Sequence, residues 1–469
     1  MFAAYKVKSL VLFSIYLFIS FIYHFGNHRA VAVEKEPSVN EKEISAYFLD
    51  LLNENDSRVT VKAINFIDEN WKESYEIMLL ESLYFSKSPA HSNKLLRLLE
   101  KKTNKQFGFD YDKWFQWLWN KEATYSDAYY HFKAELHQFI DPKFRKYFLD
   151  RSDQSLIRLD EVRWGGVFQD GIPPLRNPKM IAPIEANYLD DNATVFGIEV
   201  NGDARAYPKQ ILAWHEMFVD DVGGVPVAGV YCTLCGTVIL YKTEHNRINH
   251  SIGTSGFLYR SNKLMYDKAT QSLWSTLEGE PVIGPLVGKG IKLDYLSVVT
   301  TTWSEWKKRH PDTQVLSLNT GHQRDYGEGV AYKDYFSTDK LMFTVPKLDR
   351  RLKNKDEILA IRLPEETKDN MAISSKFLKK NVIYAGKIGS IHFTVFTDKT
   401  GAHRVYKTKG KTFTHYDGES TVTDMNGNKW EIAENELIGP REQLMERLPS
   451  HNAFWFGYKA AFPNVILIK

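Results

Sequence analysis

Two stretches of this chain lie over each other without a gap. Gly224 to Thr243 reads "GVPVAGVYCTLCGTVILYKT", and Gly389 to Thr408 reads "GSIHFTVFTDKTGAHRVYKT". Gly236 meets Gly401, Tyr241 meets Tyr406, and both stretches end in "YKT". Three further pairs follow in the same order: "TVFGIEV" with "EILAIRL", "LWSTLEGEPVIGP" with "KWEIAENELIGP", and "WSEWKKRHPDTQVL" with "WFGYKAAFPNVIL". Each unit is a run of short β-branched strands, an "IGP" loop and a short helix. In the first unit Thr302 is placed to N-cap that helix and Pro311 to end it. This pattern predicts a duplicated mostly-β region, with repeat 1 over 155–345 and a degenerate repeat 2 over 346–469 packed on it around a shared core.

Residues 40–152 follow another rule. "EISAYFLDLLNE", "YEIMLLESLYF", "SNKLLRLLEKK" and "YSDAYYHFKAELHQFI" carry apolar residues at three-to-four spacing, separated by "NENDS" and "SKSPAHS". The expected fold class is therefore α+β, with an all-helical, repeat-like N-terminal domain in front of the duplicated β domain. The helical part holds no metal-ligand or nucleophile cluster, and its expected role is a scaffold that offers a surface to a protein partner. Ahead of it, "MFAAYKVK" and the apolar "SLVLFSIYLFISFIYHF" precede "RAVAVEKEP". Residues 1–32 read as a signal peptide or a membrane anchor. The expectation is an exported chain, periplasmic or anchored to the membrane and facing the periplasm. With 61 basic against 58 acidic residues the formal net charge is +3, and no basic aromatic face stands out. Nucleic acid is not an expected partner.

Cys232 and Cys235 are the only cysteines. By the gapless match they fall on Thr397 and Thr400, so the module does not need thiols to fold. A disulfide between them closes a small ring, worth about 2 kcal/mol on the loop-entropy formula. A thioredoxin-type site wants a helix after the first cysteine, whereas "GTVILYK" is a strand. C-x-x-C-G between two strands instead resembles the knuckle of rubredoxin-like and zinc-ribbon sites. The candidate partners are His215, in "ILAWHEMF", and the thioether of Met265, in "KLMYD". Two thiolates with an imidazole suit zinc, and with an added thioether they suit copper. The polar loops "GTSGFLYRSNKLMYDKATQSLWS" and "NTGHQRDYGEG" supply candidate ligand-binding residues: Ser255, Tyr259, Ser261, Asn262, Asp267 and Arg324, together with Trp214. Neither loop is a Walker loop or a G-x-S-x-G elbow. The simplest reading of Asp267, Thr270 and Ser272 is a hydrogen-bonded turn before Trp274.

"DEVRWGGVFQDGIPPLRNP", "NGDARAYPKQILAWHEMFVDDVGGVPVAGVYCTLCGT", "SGFLYRSNKLMYDKATQSLWS" and "TWSEWKKRHPDTQVLS" together resemble the bacterial family filed as "domain of unknown function 3179". The resemblance covers roughly residues 155–469. It implies a HEAT-like character for the helical extension and marks His215, Cys232 and Cys235 as important, but implies no reaction. Thr233 stands where the family pattern has proline inside the knuckle, and His322 is untypical. The leading expectation is an exported protein with a Cys-x-x-Cys plus His metal-binding or redox site. The alternative is an extracytoplasmic binding module for a small molecule, peptide or glycan with the pair as a structural disulfide. A third is an enzyme with one cysteine as nucleophile and His215 as its base.

Overall fold

Short polar residues start the helices where the periodicity begins. The helices are α1 (Glu41–Asp50), α2 (Ser57–Glu69), α3 (Glu76–Phe85), α4 (Pro89–Thr103), α5 (Tyr111–Trp119), α6 (Asp127–Gln138) and the single turn α7 (Arg145–Phe148). Asp56, Ser88 and Asp110 cap α2, α4 and α5 by accepting from backbone N–H groups one turn on. The computed structural model describes residues 40–469 apart from 54, 150, 152, 364–366 and 368. The expected signal or anchor segment over 1–32 lies outside the described residues. Among the described residues no helix is long and apolar enough to cross a membrane.

The helices do not form a core of their own. Phe132, Phe144, Tyr147 and Phe148 share one apolar cluster with Phe257, Leu264 and Leu273. Those last three belong to a five-stranded antiparallel sheet ordered Val162–Trp164, Ile252–Tyr259, Asn262–Asp267, Leu273–Ser275, Pro281–Ile283. The helical layer is thus a cover on one face of this sheet, with the Phe144 and Phe257 rings 4.8 Å apart at its centre.

Two more five-stranded sheets and the short pair Glu244–His245 with Ile248–Asn249 complete the first half. One is ordered Tyr295–Leu296, Thr237–Lys242, Val225–Cys232, Met217–Val222, Leu175–Arg176. The other is ordered Val299–Thr302, Thr194–Val200, Asp203–Pro208, Gln314–Leu316, Met180–Ile181. Helix α8 (Lys209–His215) follows Pro208, and α9 (Trp303–Arg309) follows Thr302, whose side chain accepts from Glu305 N–H as expected. Strand Val225–Cys232 is apolar throughout because both its faces are covered. Val225, Val227 and Tyr231 enter one cluster and Val230 enters another.

The second half runs through Glu357–Arg362, Asn370–Ser374, α11 (Ser375–Lys380), Ile383–Ile388, Ile391–Thr397 and His403–Lys407 to Ser450–Phe454, α12 (Trp455–Ala461) and Ile466–Ile468. A single helical turn, α10 (Lys333–Phe336), lies between the halves. Some pairings recur. Thr194–Val200 is antiparallel to both Asp203–Pro208 and Val299–Thr302, and Glu357–Arg362 to both Asn370–Ser374 and Ser450–Phe454. Asp203–Pro208 and Asn370–Ser374 each gain a parallel strand outside them. The halves also share a core: Met217, Val230, Ile239 and Tyr241 pack with Ile358, Ala360, Ala453 and Trp455.

Strand register corrects the gapless match by one residue. Val222 pairs with Val225 and Ile388 with Ile391, so Gly223, not Gly224, stands where Gly389 stands. Cys232 pairs with Thr237 across a four-residue turn, whereas Asp398 N–H bonds to Ala402 C=O, 3.0 Å, across three. Laid over each other by strand register, the two hairpins set Cys232 level with Asp398 rather than Thr397. That aspartate closes its turn with its carboxylate, accepting from Thr400 N–H at 2.9 Å and Ala402 N–H at 3.0 Å.

Candidate functional site

The Cys-x-x-Cys turn joins Val225–Cys232 to Thr237–Lys242, and Gly236 takes the positive φ that ends it. Cys232 and Cys235 are joined by a disulfide, with their Cα atoms 5.5 Å apart. Both are buried in an apolar cluster with Leu258, Tyr335, Phe454 and Phe456. Beneath the turn lies a buried polar group. Thr233 donates its hydroxyl to Glu216 Oε1, Tyr332 donates to the same oxygen at 3.1 Å, and the Lys263 ammonium sits 2.9 Å from Glu216 Oε2. Burial beside that carboxylate holds the Tyr332 phenol well above its usual range. Glu216, Lys263 and Tyr332 escaped the sequence reading, because a Glu and a Lys far apart in sequence give no sign of being one buried pair.

The structure does not assemble the expected metal ligands. The sulfurs are bonded to each other, so they offer no thiolate pair. Met265 lies in the cluster of Trp274 and Val230, apart from that of the cysteines. Both nitrogens of His215 are engaged elsewhere: Nδ1 lies 2.9 Å from Pro173 C=O and Nε2 lies 2.6 Å from the Tyr326 hydroxyl. Among the described residues no group of three or more His, Cys, Asp or Glu side chains is disposed to hold a metal ion. These placements give no support to a copper or zinc centre on Cys232, Cys235, His215 and Met265.

Most of the "SGFLYRSN" side chains are likewise committed to the fold. Ser255 donates to Leu264 C=O, Ser261 to Phe343 C=O, and Asn262 Nδ2 to Gly457 C=O. Arg260 pairs with Glu161. Burial raises the Tyr259 phenol above its usual range. Asp267 makes the expected turn, accepting from Thr270 N–H at 2.7 Å and from its hydroxyl at 2.9 Å.

Trp214 and Arg324 come together at a different place. Trp214 Nε1 donates to Asp325 C=O at 2.7 Å, which fastens α8 to the loop that holds Arg324. An open cleft of about 470 Å³ lies there, lined by Tyr188, Gln210, Leu318, Arg324, Asp325 and Tyr326 among others. A directed chain runs through Tyr326, one of the lining residues. A carbonyl only accepts, so the contact with Pro173 assigns the His215 proton to Nδ1 and leaves Nε2 to accept from Tyr326. The phenol proton being spent there, Thr320 Oγ1, 2.6 Å away, is the donor to Tyr326. Burial, opposed by the Pro173 bond and aided by His322 and Arg324, pulls the imidazole down to about 4, so it is neutral near pH 7. The sequence does not single out Tyr326, because only contact with His215 distinguishes it from any other loop tyrosine.

A family model described as "Protein of unknown function (DUF3179)" matches residues 169–465. The chain belongs to that family. The DUF3179 match takes in the disulfide hairpin, α8 and the cleft loop, while α1–α7 precede it as an N-terminal extension. No curated protein and no solved structure gives a significant match.

Proposed function

We propose that this chain is an extracytoplasmic binding module. Its cleft takes a small polar molecule, and the Cys232–Cys235 disulfide pins the hairpin behind it. The carrying observation is the Thr320–Tyr326–His215 chain, which meets the cleft lining at Tyr326. It fixes the Tyr326 ring in the lining, with its proton directed to His215 and its oxygen accepting from Thr320. Arg324 and Gln210 add donors, and Asp325 adds an acceptor. The disulfide supports export, because such bonds persist in oxidising compartments, as does the lysine-flanked apolar run of 1–32. The recurring pairings of the two halves support the duplication, and the helical layer remains our candidate surface for a protein partner.

The test is a thermal-shift screen of the whole chain against small carboxylates, amines, sugars and short peptides. At least one class should stabilise the wild type, and Tyr326→Phe and Arg324→Ala should each weaken that effect. A ligand that stabilises all three proteins equally, or no ligand in any class, refutes the cleft. Membrane-fraction extraction of the native chain tests the localisation, which a purely cytoplasmic chain contradicts.

A further inference from the structure

The disulfide is enclosed by two unlike walls. One wall is rigid. A carbon added at Gly457, in α12, would lie 2.8 Å from Cys235 Cβ, and one added at Gly236 would lie 2.9 Å from the Phe454 ring. Phe454 N–H also bonds to Cys235 C=O at 2.7 Å. The other wall is the segment 326–345, whose only regular structure is the single turn α10. It is held by side chains: Tyr335 donates to Leu234 C=O of the hairpin at 2.7 Å, Tyr332 donates to Glu216, Ser261 donates to Phe343 C=O at 2.9 Å, and Gln116 Nε2 donates to Val345 C=O at 3.2 Å. Val330 and Met342 in this segment are exposed.

We propose that Cys232–Cys235 is a reversible reduction site for an external dithiol, and that segment 326–345 is the part of the fold that yields when the bond opens. One thiolate of the dithiol attacks a cystine sulfur, giving a mixed disulfide and one cysteine thiolate. Its second thiolate then displaces the other cysteine. Two electrons pass to the cystine, the dithiol's two protons end on Cys232 and Cys235, and the dithiol leaves as a disulfide. Bonded sulfurs lie about 2.05 Å apart and non-bonded heavy atoms about 3.5–4 Å, so the two thiols require well over 1 Å of new room. Phe454 and Gly457 leave none, and the displacement goes through Leu234 into Tyr335. Because both sulfurs are buried, the dithiol reaches them through transient opening of the same segment. The segment begins in the cleft wall, at Tyr326 to Glu328. This link to ligand binding rests on the reading above, whereas the reduction and the yielding do not.

Hydrogen–deuterium exchange of the whole chain, oxidised and after dithiothreitol, decides it, with thiols counted by alkylation and mass. Peptides over 330–345 should exchange about tenfold faster or more once two thiols are present, while Glu357–Arg362 and Thr194–Val200 stay protected. Cys232→Ala with Cys235→Ala, which removes the bulk as well as the bond, should keep the segment protected to within about threefold and make it indifferent to dithiothreitol. Unchanged exchange in protein carrying two thiols overturns the proposal, as does loss of protection across all sheets. No ligand enters this measurement, so failure of the cleft leaves its outcome readable.

Discussion

Tyr326→Phe isolates the hydrogen-bond chemistry behind the cleft lining. The phenylalanine keeps the ring, and Gln210 Nε2 still reaches the residue 326 carbonyl, 2.9 Å in the wild type, so the loop stays in place. The lost atom is the hydroxyl that donates to His215 Nε2 at 2.6 Å. Its other partner, Thr320, is near solvent and recovers a bond to water. His215 is fully buried and does not. The cost is therefore that of one orphaned buried acceptor, about 1–3 kcal/mol, rather than the smaller net worth of an exchanged bond. A second effect has a definite sign. Donation from the phenol favours the neutral ring, so its removal frees Nε2 for a proton and moves the His215 pKa up from about 4. Urea unfolding reads the first effect and NMR titration of the His215 ring reads the second. Stability within about 0.5 kcal/mol of wild type, with an unmoved imidazole titration, would refute the directed chain.

Four buried histidines make stability depend on pH in one direction. His137 and His451 are pulled down to about 3, and His215 and His403 to about 4, chiefly by burial. Their stabilising effect is complete above the unfolded value near 6.5 and is lost as pH falls toward 4, with each ring contributing about 1.4 kcal/mol per pH unit in that window. Urea midpoints at pH 7.5 and 5 should differ accordingly, and equal midpoints would contradict the burial of neutral rings. Lys263→Met strands Glu216 as an unpaired buried carboxylate and should cost about 3–5 kcal/mol, and adding Glu216→Gln should recover part of it. If the double variant is no more stable than the single one, the two groups do not act as a pair.

Local rules made the architecture legible. Three-to-four spacing marked the helices ahead of Phe148, and the Thr302 cap and the strand–turn–strand reading of the knuckle follow from short-range chemistry. The expected duplication rests on a gapless match that runs one residue out of strand register ahead of the turn. Identity letters such as "YKT" weigh the outgoing strand and say nothing of turn length. The candidate site was less legible. His215 and the cysteines were grouped because they share one module, yet each is held by residues far away in sequence and not by the others. Pro173 and Tyr326 hold the histidine, Phe454 and Gly457 close on the cystine, and Glu216 at the end of α8 meets Lys263 of the strand Asn262–Asp267. Contacts of that range leave no periodic trace.

The bond from Phe454 N–H to Cys235 C=O has a consequence for synthesis. About 220 residues separate these positions, and at about 5–20 residues per second a ribosome needs tens of seconds to pass from one to the other. Throughout that interval the hairpin lacks its rigid wall, and the two thiols face whatever oxidant or thiol-bearing catalyst the growing chain meets. Oxidation is easiest then, before the second half arrives to seal it. Slowing translation between these two positions should therefore raise the fraction of molecules that emerge already cross-linked.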